Sequence, residues 1–432
     1  MDSSIAGSAD QQDQAAQVHA RRVFYIPGYD PIHPRRYREL YRKEGAAQAA
    51  ISNYQISLRP QEKFTNAKGG KRPYGWQVSG EIDGQQVESA FSVLVWSDIV
   101  RDSMDASIPG TYLQLLHTAW IYISSGTLRR LMRLRKGPVI AALYPVAMLL
   151  VQALVAALLF WGVARVWDAG LTQVVGSNPW YAQLPGRGIA VLAAGALLRW
   201  FKRMDGKFFA YYLMHDYAFS ATSRGENPAE LEERIAAFKQ EIRAALEAGG
   251  IDELLVVGHS SGTHVGVSVL ADLIREGLPE HHADIGFLTL GQVVPMVSFL
   301  PRATRLRSDL RYLCQRDEIA WVDVSAPGDG CAFALCDPVA VSGVAPESGK
   351  RWPLVFSAAF TQTLSPARWA VLRRRFFRLH FQYLCAFDQP GDYDYFRITA
   401  GGQTLRQRYR DRKASNSRID MAVSKYTDVT PE

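Results

Sequence analysis

The segment from Pro138 to Ala164, PVIAALYPVAMLLVQALVAALLFWGVA, constrains this chain more than any other, because it carries no charged residue until Arg165. A helix needs roughly 20 consecutive apolar residues to cross a hydrocarbon core, and this run is longer. A buried helix of a soluble protein would show a polar face, whereas Gln152 is the single strongly polar side chain here. A second, weaker segment runs from about Trp180 to Phe201; Arg187 interrupts it, and its clean apolar stretch is Gly188 to Leu198. Arg129, Arg130, Arg133, Arg135 and Lys136 precede the first segment, and Arg199, Lys202, Arg203 and Lys207 follow the second. The loop expected between them, Trp167 to Gly186, carries Asp168 and no other charge. Basic flanks favour the cytoplasmic side of a membrane, and two crossings return both flanks to it. Trp161, Trp167, Trp180 and Trp200 fall near the expected interfaces, where amphipathic rings are favoured. A transmembrane helical hairpin is predicted over 137–201.

Outside the hairpin the chain reads as a folded protein. Hydrophobic residues make up 48% and charged residues 21% of the 432, which is incompatible with global disorder. The net charge of +7 forms no basic stripe or reading motif, so no nucleic-acid partner is expected; much of the excess flanks the apolar segments. Four cysteines (Cys314, Cys331, Cys336 and Cys385) are too few for a disulfide framework and lack zinc spacing, pointing to reduced thiols in a cytosolic compartment. The first twenty residues are polar and contain no apolar run, so a loose tail and no secretory signal are expected there. The basic, polar stretch from about Gln403 is expected to fray.

The chemistry is carried by Gly258-His-Ser-Ser-Gly262. Before it, Ile251 to Val257 is short, apolar and branched, as a buried parallel strand requires. After it, Val265, Val267, Leu270, Leu273 and Ile274 recur at helical spacing. Strand, Gly-x-Ser-x-Gly and helix in succession make a nucleophile elbow: the glycines permit a tight turn, Ser260 stands exposed at the strand's end, and the helix directs its N–H groups at a developing oxyanion. Upstream, Asn227-Pro-Ala-Glu230 starts a helix with an apolar face of Leu231, Ile235, Phe238, Ile242 and Leu246. This alternation is that of an α/β sheet.

A serine hydroxyl needs a base to become a nucleophile. His19, His33, His117 and His215 precede Ser260; His259 is confined within the elbow, His264 is placed for packing, and His281 and His282 lie in a polar connection. His380, far downstream and followed by a loop rich in Gly and Asp, is the expected base. The acid should lie between them at a strand's carboxyl end. Ile319 to Ser325 is a good strand, and Asp329 follows in an Ala-Pro-Gly-Asp-Gly turn; Asp337 is the alternative, and Asp323 within the strand is expected to face outward. Arg22 to Ile26 is a second strand, ending in Pro27-Gly28-Tyr29-Asp30. Its turn at Gly28 offers the N–H of Tyr29 as one oxyanion donor, with the N–H of Ser261 as the other.

With these pieces in place the chain resembles the α/β-hydrolase superfamily, and within it lipase- and esterase-like members. The resemblance rests on Gly258-His-Ser-Ser-Gly262, the order Ser260, Asp329, His380, and the Phe24-Tyr-Ile-Pro-Gly28 strand-turn, and it spans about Arg22 to Gly402. Two features depart from the family: Pro27 stands where many members place histidine, and the hairpin is no standard part of the fold. The resemblance implies an α/β fold, a mostly parallel sheet flanked by helices, with an inserted two-helix membrane hairpin. The division is a tail over 1–21, hydrolase parts over 22–136 and 202–402, the hairpin over 137–201 and a basic tail over 403–432. The implied activity is cleavage of lipid or other long-acyl esters through a serine-bound acyl intermediate, with no metal or organic cofactor. The partners are the lipid bilayer and an ester or acyl substrate, and the catalytic domain faces the cytoplasm. An acyltransferase or thioesterase with the same triad, and a catalytically inactive membrane interaction module, are the alternatives. Candidate strands at Tyr54–Leu58, Gly75–Val78 and Phe91–Trp96, a helix from about Ser103 to Leu134, and an aromatic-rich interfacial or lid-adjacent helix from Phe208 to Phe219 complete the expectation.

Overall fold

The computed structural model describes residues 17–29, 33–60, 73–96, 98–99 and 107–429. Residues 1–16 of the expected tail, Asp30 and the expected helix start at Ser103 lie outside these. The strands are β1 (Ala20–Ile26), β2 (Gln55–Pro60), β3 (Gly75–Ile82), β4 (Gln85–Val93), β5 (Glu253–His259), β6 (Asp284–Leu290), β7 (Ile319–Ser325) and β8 (Leu354–Ser357). The principal helices are α1 (Arg35–Ser52), α2 (Ile108–Ser124), α3 (Thr127–Leu134), α4 (Lys136–Val175), α5 (Trp180–Arg203), α6 (Ala210–Thr222), α7 (Ala229–Ala248), α8 (Gly262–Arg275) and α9 (Thr304–Leu313).

All eight strands form one sheet in the order β2-β3-β4-β1-β5-β6-β7-β8. From β4 onward the neighbours are parallel, while β3 is antiparallel to both β2 and β4, so the protein is α/β with a mixed sheet. Every residue of β5 and β7 is buried, as expected of strands covered on both faces. On one face, Tyr37 and Tyr41 of α1 join a core with Tyr25, Val257 and Tyr383. On the other, the Leu231, Ile235, Phe238, Ile242 and Leu246 stripe of α7 packs with α8 and α9. Strand β4 begins at Gln85 rather than near Phe91 and excludes Trp96. The reason is a tight Asp83-Gly84 turn, φ 54° and 75°, that pairs β3 with β4. The expected helix ending at Leu134 is two, α2 and α3, broken at Gly126 with φ 74°.

Helix α4 is 40 residues long, about 60 Å at 1.5 Å per residue. Among the described residues it is the one helix long and apolar enough to cross a membrane. The expected loop from Trp167 to Gly186 is corrected: helix continues to Val175 and resumes at Trp180. Arg165 and Asp168 do not stop it; Gly176 does, in the left-handed conformation, with its N–H on the Thr172 carbonyl. The two helices meet at Trp167, whose Nε1 donates to the Ala182 carbonyl at 2.9 Å. A Cβ on Gly186 would fall 2.1 Å from the Trp167 ring. Large apolar side chains point away from the protein along both helices, including Leu154, Leu158 and Leu192.

Two further expectations change. The stretch after Gln403 does not fray from its start. Leu405 and Tyr409 are buried, the Arg21 guanidinium donates to the Gly401 and Gln403 carbonyls, and Ile419 bridges Cys336. A few apolar anchors and one buried Arg21–Glu253 pair hold a segment whose composition is polar. The aromatic segment after α5 divides its faces: Tyr211, Met214 and Ala218 pack in a cluster with Leu115 of α2 and Leu149 of α4, while Tyr212 and Phe219 line a cavity.

Candidate active site

The turn after β5 is built as the glycine spacing demands. Ser260 has φ 56°, a left-handed conformation costly for a residue with a Cβ. Its N–H donates to the Leu290 carbonyl at 2.9 Å, and α8 starts two residues later. A Cβ on Gly262 would stand 2.2 Å from the Ile26 carbonyl oxygen; one on Gly28 would stand 3.0 Å from the Ser260 Cβ. Gly258 is likewise closed off, 2.9 Å from the Thr263 Cα. The register of β1 with β5 pairs Ile26 with Gly258, which sets the Pro27–Tyr29 turn beside the elbow.

Asp329 follows β7, and His380 ends a short helix, Phe376–His380, that comes after β8. His380 Nδ1 and Asp329 Oδ2 are 2.7 Å apart. The second carboxylate oxygen accepts the Cys331 N–H at 2.9 Å. Asp337 does something else: it caps the helical turn Pro338–Val341, accepts the Val339 and Ala340 N–H groups and pairs with Lys350. Asp323 is not outward-facing. It is fully buried, accepts the Thr289 hydroxyl at 2.6 Å, and loss of solvent pushes its carboxyl up to about 7.

Ser260, His380 and the elbow open into one cavity of about 230 Å³. Its wall is aromatic and apolar, with Tyr29, Trp96, Tyr212, Phe219 and Phe377, and it reaches Pro138 and Ala141 at the start of α4. A larger concavity of about 730 Å³ runs along Leu158 to Val175 of α4, away from these residues and without a titratable side chain. His380 Nε2 is buried and, among the described residues, has no hydrogen-bond partner. The Ser260 hydroxyl and that nitrogen are therefore in one cavity without a closed hydrogen bond, a gap often seen before substrate binds.

The Tyr29 N–H donates to the Ser261 hydroxyl oxygen at 2.7 Å, because the Gly28 turn brings it against the elbow. Tyr29 thus ties β1 to the elbow, while the Ser261 N–H stands at the helix start, where donors lack intrahelical acceptors.

Two positioning contacts escape a reading of sequence. His259 Nε2 donates to the His380 backbone carbonyl at 3.0 Å, and the two rings stand 4.8 Å apart. Burial, reinforced by His380, lowers the His259 imidazole to about 3, so it is the neutral ring that donates. Tyr383 donates its hydroxyl to Asp329 Oδ2 at 3.0 Å and accepts the Ala326 N–H at 3.0 Å. His264, on the cavity wall edge-on to Trp96, is lowered to about 4 by burial. Only the Tyr383 position, in the same segment as His380, carried any signal.

Asp329, Cys331 and His380 bring their ligand atoms within 4.8 Å of one another. Burial and the Asp329 charge keep the Cys331 thiol protonated, and Asp329 already engages His380 Nδ1, so the donor set fits an acid–base pair better than a cation. No protein-family model matches the chain, and no curated protein or solved structure shows significant similarity to it.

Proposed function

We propose that this chain is a membrane-anchored serine hydrolase of the α/β-hydrolase kind that cleaves lipid or other long-acyl esters. The observation that carries the reading is the strained Ser260, φ 56°, sharing a cavity with a histidine whose far nitrogen is held by a buried carboxylate. In this reaction His380 Nε2 takes the Ser260 proton as Oγ attacks the ester carbonyl. Asp329 holds Nδ1–H, fixing the tautomer and offsetting the imidazolium charge. The Ser261 N–H and the start of α8 stabilise the oxyanion, and Tyr29 joins them when the Ser261 hydroxyl turns away. His380 returns its proton to the leaving alcohol, and water then releases the acyl group by the same steps in reverse.

The apolar wall and its continuity with the root of α4 support an acyl chain arriving from a bilayer. The hairpin of α4 and α5 crosses the membrane twice and leaves the sheet on the cytoplasmic side; the support is the pair of basic flanks and the outward apolar faces. The test is turnover of long-chain nitrophenyl esters by detergent-solubilised full-length protein. Wild type turns over, and Ser260→Ala loses at least about 10³-fold. Unchanged turnover in Ser260→Ala would overturn the proposal. Products formed with an added alcohol distinguish transfer from hydrolysis.

A further inference from the structure

The segment Val371 to Arg378, VLRRRFFR, combines large apolar side chains with a run of arginines. Val371, Phe376 and Phe377 are 53%, 54% and 47% exposed. Between and beside them Arg373, Arg374, Arg375 and Arg378 are all exposed, and no acidic side chain among the described residues pairs with any of the four. Half-exposed phenylalanines interleaved with unpaired arginines are costly in water: the rings forgo part of their burial and the cations repel one another. Leu372 and Leu379 are buried at either end, so the exposed part is presented from fixed anchors.

Its location gives the segment a use. Phe377 lines the cavity that holds Ser260, and its ring lies 6.4 Å from that of Phe209. Phe209 follows Phe208, whose carbonyl accepts the Tyr144 hydroxyl of α4. Phe376 abuts Gly330, and Gly330 in turn abuts Gly137 at the first turn of α4. The segment therefore stands beside the root of α4 and at the rim of the cavity. Arg133 and Lys136, exposed at the same root, extend the positive charge.

We infer that residues 371–378 are a docking surface for anionic lipid headgroups, which holds the cavity rim against the membrane. Headgroup phosphates pair with Arg373, Arg374, Arg375 and Arg378, and Phe376 and Phe377 enter the interfacial layer. The inference rests on the membrane reading of α4 and is independent of the serine chemistry.

The test places full-length protein in nanodiscs of phosphatidylcholine alone or with a quarter phosphatidylglycerol, and follows amide exchange of 371–379. Exchange slows by about five-fold or more with anionic lipid, the factor expected for one arginine engaged. The difference disappears at high salt and in the triple variant R373Q/R374Q/R375Q, while exchange of β5 stays unchanged as the folding control. Should the variant fail that control, the salt comparison on wild type decides. Equal exchange in the two discs, or slow exchange already present in detergent, overturns the inference and leaves the membrane reading standing. Failure to enter either disc overturns both.

Discussion

Helix α4 and strand β5 draw on the same small set of apolar residues and meet opposite surroundings. All of β5 lies inside, covered by helices on both faces of the sheet. Along α4, Leu150, Leu154 and Leu158 are each more than half exposed on a helix with apolar side chains all round. Burying one leucine contributes about 1.5–3 kcal/mol, so a row of exposed ones is a standing cost in water and none in hydrocarbon. Apolar content alone therefore distinguishes nothing; length does. Seven residues of β5 suit a sheet, and 40 residues of α4 exceed any neighbour able to cover them.

The largest effect that sharpens this contrast is on α4. The double variant Leu154→Asp/Leu158→Asp places two charges on the outward face, at about 2.5–3.5 kcal/mol each in a membrane core. Loss of the protein from the carbonate-resistant membrane fraction is expected. Were α4 a helix in water, the same changes at exposed positions would alter stability by within about 0.5 kcal/mol and leave fractionation unaltered.

Within the body, where polar groups are buried and paired, a smaller change has a local consequence. Tyr383→Phe removes the hydroxyl that donates to Asp329 and accepts from Ala326. A buried group left unpaired costs about 1–3 kcal/mol, so kcat should fall about five-fold to a hundred-fold with KM little altered. A fall in thermal stability with unaltered kcat would assign Tyr383 to packing alone.

The smallest effect depends on pH. His264 is lowered by burial to about 4, below its unfolded value, so on acidification the unfolded chain takes its proton first. The resulting stability loss sets in as pH falls below about 6.5 and is complete near the folded value. His264→Gln should narrow the gap in unfolding free energy between pH 7.5 and pH 5 by about 2 kcal/mol. An unchanged gap would mean that His264 is hydrated in the folded protein.

The same contrast explains what could be read from the chain. Elements with a local signature were legible: the branched run into Gly258-His-Ser-Ser-Gly262, the α7 stripe, and the apolar run of α4. The places where reading fell short depend on partners far away in sequence. Asp329 and Asp337 both follow turns, and only the fold gives one of them to His380 and the other to Lys350. His259 looked confined because its acceptor, the His380 carbonyl, lies 121 residues on. Nothing local shows the Tyr29 N–H meeting the Ser261 hydroxyl, since the two are 232 residues apart. The C-terminal stretch was expected to fray because its anchors, Leu405 and Tyr409, are sparse among basic residues.

The central claim is an activated serine in a membrane-bound body, and reaction with a fluorophosphonate probe tests it most directly. Detergent-solubilised wild type should carry the adduct on the peptide containing Ser260, with labelling lost in Ser260→Ala and in His380→Ala. A well-folded wild type that takes no label, or an adduct that persists in Ser260→Ala, would contradict the account.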